Sequence, residues 1–282
     1  MIEPWAGTSP MPAQDRFASI RAAWIQIRLD MQYQFTYPHE IFTEFLQMSL
    51  QMLVFSQVWI AMYGGQETHA GVTLAQAVTY QLVIVIVVRL FTTWVLWSAN
   101  NSIRTGNIIL QITRPMYYGH ILLCEFVGQA MTKLLTASLP MFALTCLLFR
   151  PTLPSAVSVW LSFVVSLALG FLTAFYLDYV LALLGFWTTD LSGLFWAKGS
   201  IIQLLGGSYL PLWIYPPVVR RVLALLPFQS VGYTPVAIFV GQIGLDQVPG
   251  ALAVQIAWLV ILSVGSRRLY AAATKRLAVQ GG

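Results

Sequence analysis

Charge is what this chain has least of. Only 9% of its 282 residues are Asp, Glu, Lys or Arg, against 58% hydrophobic, and the mean hydropathy is +0.73. Soluble domains carry roughly 25% charged residues, so a water-soluble globule is excluded. Cysteine is almost missing as well. Cys124 and Cys146 fall in one apolar run and read as small core residues rather than as a disulfide or a metal site. The first apolar window opens near Ile41 and residues 1–30 show no signal-peptide pattern, so insertion is expected to use the first span itself. No GxxxxGK[ST] phosphate loop is present; the nearest string, Ala197-Lys198-Gly199-Ser200, lacks the upstream glycine. There is no HExxH, and His39, His69 and His120 are scattered. Ser192-Gly193 has no GxSxG context, and Asp178 and Asp190 sit in no aspartyl-protease motif. These absences argue against catalysis by this chain alone.

Long apolar runs are what the chain does have. At about 20 residues per crossing, it holds about six spans and no large soluble domain. The windows fall at 41–63, 73–98, 118–148, 156–180, 184–206 and 248–269. The fourth and fifth are separated only by Gly185 and the Thr188-Thr189-Asp190 cluster, which mark a turn and the next helix cap. Residues 1–15 are rich in Pro, Gly and Ser and are expected to be disordered. Over 16–36, Phe17, Ile20, Ala23, Trp24, Ile27 and Met31 recur at helical steps with Arg16, Arg21 and Arg28 on other faces. That pattern predicts an amphipathic helix lying in the membrane interface. Residues 270–282 are expected to form a cytoplasmic tail. The predicted fold class is an all-α membrane protein of six transmembrane helices over 41–269.

Between Gly206 and Gly250 the apolar sequence is broken by Pro211, Pro216, Pro217, Pro227 and Pro235. Each interior proline removes a helix hydrogen bond, and lipid does not tolerate unpaired backbone. Short re-entrant or protein-buried helices are therefore expected between spans five and six, with Gly206 and Gly207 at their entry. Pro217 is placed to open one that runs to Leu226, with Arg220 and Arg221 at the outer headgroups.

The net charge of +5 is distributed by topology. Arg16, Arg21, Arg28, Arg104, Arg114, Arg267, Arg268, Lys275 and Arg276 flank one side, whereas Arg150, Arg220 and Arg221 flank the other. The positive-inside rule then puts both termini in the cytoplasm, and the charge is no nucleic-acid footprint.

Charged residues inside spans cost about 2.5–3.5 kcal/mol each on insertion scales. Glu125, Gln129 and Lys133 are spaced by four and form one stripe. The stripe reads either as a wall of a substrate path or as an intrahelical ion pair. Arg89 reads as a functional charge or as one that snorkels inward, and Glu44 as a solvated residue near the interface. Asp190 and Lys198, eight apart, line one groove, or Asp190 is solvated at a turn. Trp59, Trp94, Trp97, Trp187 and Trp213 fall near span ends, as an aromatic belt would.

Three pieces carry a family resemblance. Ile103-Arg104-Thr105-Gly106, then Leu110 and Thr113-Arg114-Pro115, resembles the first cytoplasmic loop of ABC-2-type exporter permeases, I-x-x-G…L-x-x-P. Leu204 to Leu212 with Pro216-Pro217 resembles the segment after their fifth span, apart from Gly206-Gly207 where a Ser-Gly is common. Leu226-Pro227-Phe228, Pro235 and Gly241 resemble the outer re-entrant region. The resemblance implies a dimer of six-helix halves, identical or related, in a cell membrane, bacterial inner or plasma. It also implies a separate ATP-binding subunit that holds ATP and magnesium, since this chain has no cofactor motif. Arg104, Gly106, Leu110, Arg114 and Pro115 would form the coupling helix within 100–117, moving spans one, two and five. Taken alone, that loop reads equally as one held on the headgroups by its arginines.

Partners implied are this ATPase subunit, a second permease chain and membrane lipids. The substrate reads as an amphiphile rather than a small ion. The alternative is an ion-gradient-driven secondary carrier or channel, which predicts buried carboxylate pairs or broken helices at mid-membrane. An intramembrane enzyme lacks its motifs, and a regulatory subunit without a path is a fourth class.

Overall fold

A computed structural model describes residues 13–36, 38–69, 71–108, 110, 117–188 and 190–280, with side chains from 21 to 275 apart from Gln34 and Pro38. Helix α1 spans Ala13–Phe35 and α2 spans Pro38–Tyr63. A small antiparallel pair follows, β1 (Thr68–His69) and β2 (Val72–Thr73), in register Thr68 with Thr73 and His69 with Val72. Span two is α3 (Leu74–Phe91) and α4 (Val95–Arg104). Span three is α5 (Tyr118–Lys133), a π turn at Leu134–Ser138 and α6 (Leu139–Phe149). Next come α7 (Val157–Leu184) and α8 (Ser192–Leu205). A 3-10 turn at Leu212–Ile214 leads to α9 (Pro217–Leu225), α10 (Phe228–Val231) and α11 (Tyr233–Phe239). The last helix, α12, runs Val248–Gln280.

Local chemistry explains several boundaries. Thr73 and Gln76 form a reciprocal capping box that starts α3. Pro140 lacks an N–H and crowds the turn before it, so span three widens into a π turn just ahead of it instead of stopping. Pro217 opens α9 at its first position, as expected.

Among the described residues five helices are long and apolar enough to cross a bilayer: His39–Tyr63, Leu74–Arg104, Tyr118–Phe149, Val157–Leu184 and Val248–Lys275. The expected fifth span, 184–206, takes a different form. Span four extends to Leu184, the turn falls at 185–191, and α8 keeps 14 residues. At 1.5 Å per residue α8 is about 21 Å long, short of a 30 Å hydrocarbon core. Span two reaches Arg104 rather than residue 98, so 100–104 is its last turn and not loop. The last span and the expected tail are one continuous helix. Residues 13–15 open α1, and residues 1–12 lie outside the described part.

Helices α3, α4, α5, α7 and α11 meet in the core. Phe126 stands edge-on to Phe171 and Phe175, with centroids 4.8 and 5.7 Å away. Buried Gln255 of α12 accepts from the Ser166 hydroxyl at 3.0 Å and donates to the carbonyls of Ser166 and Ser230 at 3.2 and 3.0 Å. It thereby ties α12, α7 and α10 together. At the end of the bundle bearing the β pair, Tyr80 donates to the Gly207 carbonyl at 2.9 Å and packs edge-on against Trp213 at 4.6 Å. Gly207 has φ +87, and a Cβ there would lie 2.6 Å from the Tyr80 hydroxyl, so only glycine fits. Trp59 and Trp213 are buried in this core instead of forming part of an aromatic belt.

Gly170 lets α7 meet α10 closely: an added Cβ would sit 2.5 Å from the Ser230 carbonyl oxygen. Gly265 on α12 faces open space. Thermal unfolding in detergent is expected to show Gly170→Ala destabilised by about 1–3 kcal/mol, from forced backbone shifts, and Gly265→Ala unchanged. Equal melting of the two variants would contradict this packing.

Candidate functional site

Span two is interrupted in its middle. The backbone turns extended at Thr92, with ψ 95, and helix resumes at Val95. Backbone groups freed at membrane depth cost several kcal/mol each unless they are partnered. Here two of them are met from α5. Lys133 Nζ donates to the Thr92 carbonyl at 2.6 Å, and the Trp94 N–H donates to Gln129 Oε1 at 2.7 Å. The four-residue spacing of Gln129 and Lys133 puts both on one face of α5, turned toward the break. Inserted side chains of this kind are a recognised cause of helix breaks.

The charges collect around this point. Glu44 of α2 accepts from Lys133 Nζ at 3.0 Å and lies 3.7 Å from Arg89 Nε. Arg89 also donates to Gln47 Oε1 at 3.0 Å. The ion pair is therefore interhelical, not the intrahelical Glu125–Lys133 pair, because Gln129 stands between those two. Glu44 is a shared counter-charge and not a merely solvated residue. Arg89 reaches sideways to α2 instead of toward a membrane face. Glu125 accepts from Gln129 Nε2 at 3.2 Å and from the Ser98 hydroxyl at 3.3 Å.

Asp190 and Lys198 are not brought together. Lys198 pairs with Asp178 of α7, whose second oxygen accepts from Thr93 Oγ1 at 3.4 Å. Asp178 is 2% exposed and went unrecognised in the sequence, although a lone carboxylate in an apolar run signals a buried partner. Asp190 is exposed in the turn before α8, accepting from the Ser192 N–H at 2.9 Å and its hydroxyl at 2.6 Å. Those Ser192 bonds, aided by Asn100 and Arg104, hold its carboxyl below the usual range.

The described residues that follow α4 and precede α5 lie at the end of the bundle opposite the β pair. Gly106 takes φ +75, Ile108 is buried in the core, and Arg104 and Leu110 are exposed. Arg114 and Pro115 lie outside the described residues. Both ends of the segment are fastened. Asn100 Oδ1 accepts from the Leu191 N–H at 3.1 Å, and Ile103 packs where a Cβ on Gly185 would stand. At the far end, Tyr179 donates to the Tyr117 hydroxyl at 3.0 Å, and the Tyr117 ring meets Tyr270 of α12 at 4.7 Å. Of the proline-rich residues, Gly206 follows α8, Pro211 precedes the 3-10 turn, Pro216 and Pro217 start α9, and Pro227 precedes α10.

One cleft of about 400 Å³ opens between α2, α3 and the end of α8, with Gln47, Gln51, Arg89, Thr92 and Gln203 among its walls. Among the described residues no three His, Cys, Asp or Glu side chains gather as a metal site would require.

These features define a multi-pass helical membrane protein. Compared with known families, residues 46–281 match the model of the ABC-2 family transporter proteins, and the chain belongs to that family. It is therefore a membrane transport component and not an enzyme in its own right. Members of the family work with ABC ATPase partners. No curated protein matches the sequence.

Removing one partner of the Asp178–Lys198 pair strands the other charge in low dielectric. Asp178→Leu and Lys198→Met are each expected to cost about 3–5 kcal/mol. The double variant is expected to melt above the worse single one. Strictly additive losses in that double-mutant cycle would show that the two side chains do not interact.

Proposed function

We propose that this chain is the permease half of an ATP-driven exporter, moved by a separate ATP-binding subunit that docks on the 100–117 segment. The observation that carries this reading is the way that segment is mounted. Its ends are tied to the 185–191 turn through Asn100 and to α7 and α12 through Tyr117. Gly106, Arg104 and Leu110 meanwhile stand exposed between those ties. A push on the exposed residues after α4 is passed to the 185–191 turn that Asn100 and Ile103 contact. Arg104 and Arg114 offer charge-assisted bonds to carboxylates of the ATPase, with Gly106, Leu110 and Pro115 setting the segment's shape. ATP and magnesium act on that partner subunit.

Two such halves, identical or related, enclose the path in a cell membrane, with both termini cytoplasmic and α1 in the interface. In each half α8 and the short helices from Gly206 to Phe239 complete a sixth crossing and the outer re-entrant cap. The cargo is an amphiphile, and the direction is export. Glu125, Gln129, Lys133 and Lys198 shape the wall of the path by holding spans two to five together, and Asp190 serves the coupling end.

The break in span two also suits a gradient-driven carrier. Two of its backbone groups, the Thr92 carbonyl and the Trp94 N–H, are however already taken by Lys133 and Gln129. That favours the ATP-driven reading.

Gentle purification through a C-terminal tag is expected to bring an ABC ATPase in stoichiometric amount. Gly106→Trp, at a left-handed position, is expected to insert normally and lose that ATPase. Transport that persists in the variant, or a chain that arrives alone under several mild detergents, would move the carrier reading ahead.

A further inference from the structure

The cleft between α2, α3 and α8 carries a charge that the rest of the fold does not use up. Arg89 stands midway between Leu74 and Arg104 on span two. At 1.5 Å per residue that is roughly 22 Å of helix from either end, beyond the reach of its side chain. It shares one carboxylate with Lys133, which holds Glu44 at 3.0 Å while Arg89 stands off at 3.7 Å. Glu40, the next acid along α2, is exposed at the helix start. The Arg89 side chain remains 26% open and lines the cleft. Ser208 lines it too: its hydroxyl is buried and has no hydrogen-bond partner. Gln51 and Gln203 add neutral amides, and Phe55 and Tyr209 stack at 5.9 Å and 13° as an apolar wall.

We infer that this cleft binds the anionic head of an amphiphile, a carboxylate or a phosphate ester. The guanidinium of Arg89 is the charge partner and the Ser208 hydroxyl an additional donor. A guanidinium presents a planar fork that matches two oxygens of such a group. The stacked rings take the first carbons of the apolar tail. As a cargo subsite this rests on the permease reading above. The binding itself needs only this chain, so it stands or falls apart from capture of an ATPase.

The test uses the full chain in dodecyl maltoside micelles, titrated with dodecyl phosphate and, separately, dodecyltrimethylammonium. Bound ligand and unfolding temperature are both read. Dodecyl phosphate is expected to bind and stabilise, and the cation to do neither. Arg89→Gln is expected to weaken the phosphate amphiphile about tenfold or more, the scale of a charged hydrogen bond. Gln51→Phe fills the cleft and leaves Arg89, Glu44 and Lys133 in place, and it is expected to block binding without loss of fold. A second arm compares nanodiscs of phosphatidylcholine with and without phosphatidylglycerol. Arg89-dependent retention of phosphatidylglycerol assigns the site to a bilayer lipid, and dependence with dodecyl phosphate alone assigns it to a free amphiphile. Equal binding of the cation, or binding of dodecyl phosphate that neither variant changes, overturns the inference.

Discussion

A peptide group inside a bilayer has no water to turn to, and the break at Thr92–Trp94 is where this protein has to answer that constraint. Two of the missing partners for span two come from Lys133 and Gln129 of span three. A lysine used in this way brings its charge to membrane depth, which calls in Glu44 from span one. Thr93, in the gap, holds Asp178 of span four, and Asp178 holds Lys198 of α8. One interruption of the helix ladder therefore organises polar side chains from five separate segments. The bundle is fastened at the point where apolar packing alone, with lipid tails as apolar as its side chains, discriminates least.

The ends of the bundle are closed by other means. Aromatic packing of Trp59, Tyr80 and Trp213 under the Gly206–Gly207 turn closes one end. The tyrosine contacts of Tyr117, Tyr179 and Tyr270 close the other. Between them lies a cleft whose wall includes Arg89, from the last turn of α3, and Thr92, at the break. The segment after α4 is separated from the break by only the ten residues of α4. In the proposed permease α4 stands between the break and the first residues of the coupling segment.

Much of this was legible in the residues, and what was legible follows a pattern. Five of the six expected apolar spans, the start of α9 at Pro217 and the turn at Gly185 came through because each depends on local composition or backbone chemistry. The family membership came through for the same reason, in short strings around Gly106 and Gly206. The length of α8 did not, because an unbroken apolar run from 156 to 206 hides where one helix yields to the next. Nor did the break in span two. Thr92, Thr93 and Trp94 include no proline or glycine, and their departure from helix is decided by side chains of another span.

Partner choice is what the fold alone decided. A four-residue spacing put Glu125, Gln129 and Lys133 on one face of a helix, and nothing in it revealed that Lys133 would find Glu44, 89 positions earlier. An eight-residue spacing suggested Asp190 with Lys198, yet a helix rising about 12 Å over eight residues keeps them apart. Asp178, from the facing helix, took the lysine instead. The amino-acid order determined that this chain enters a membrane, where it crosses and which family it joins, since burial in lipid is a sum over each residue's own surface. Which charge meets which depended on helices packed side by side, because ion pairing falls off within a few ångströms that no linear spacing reports.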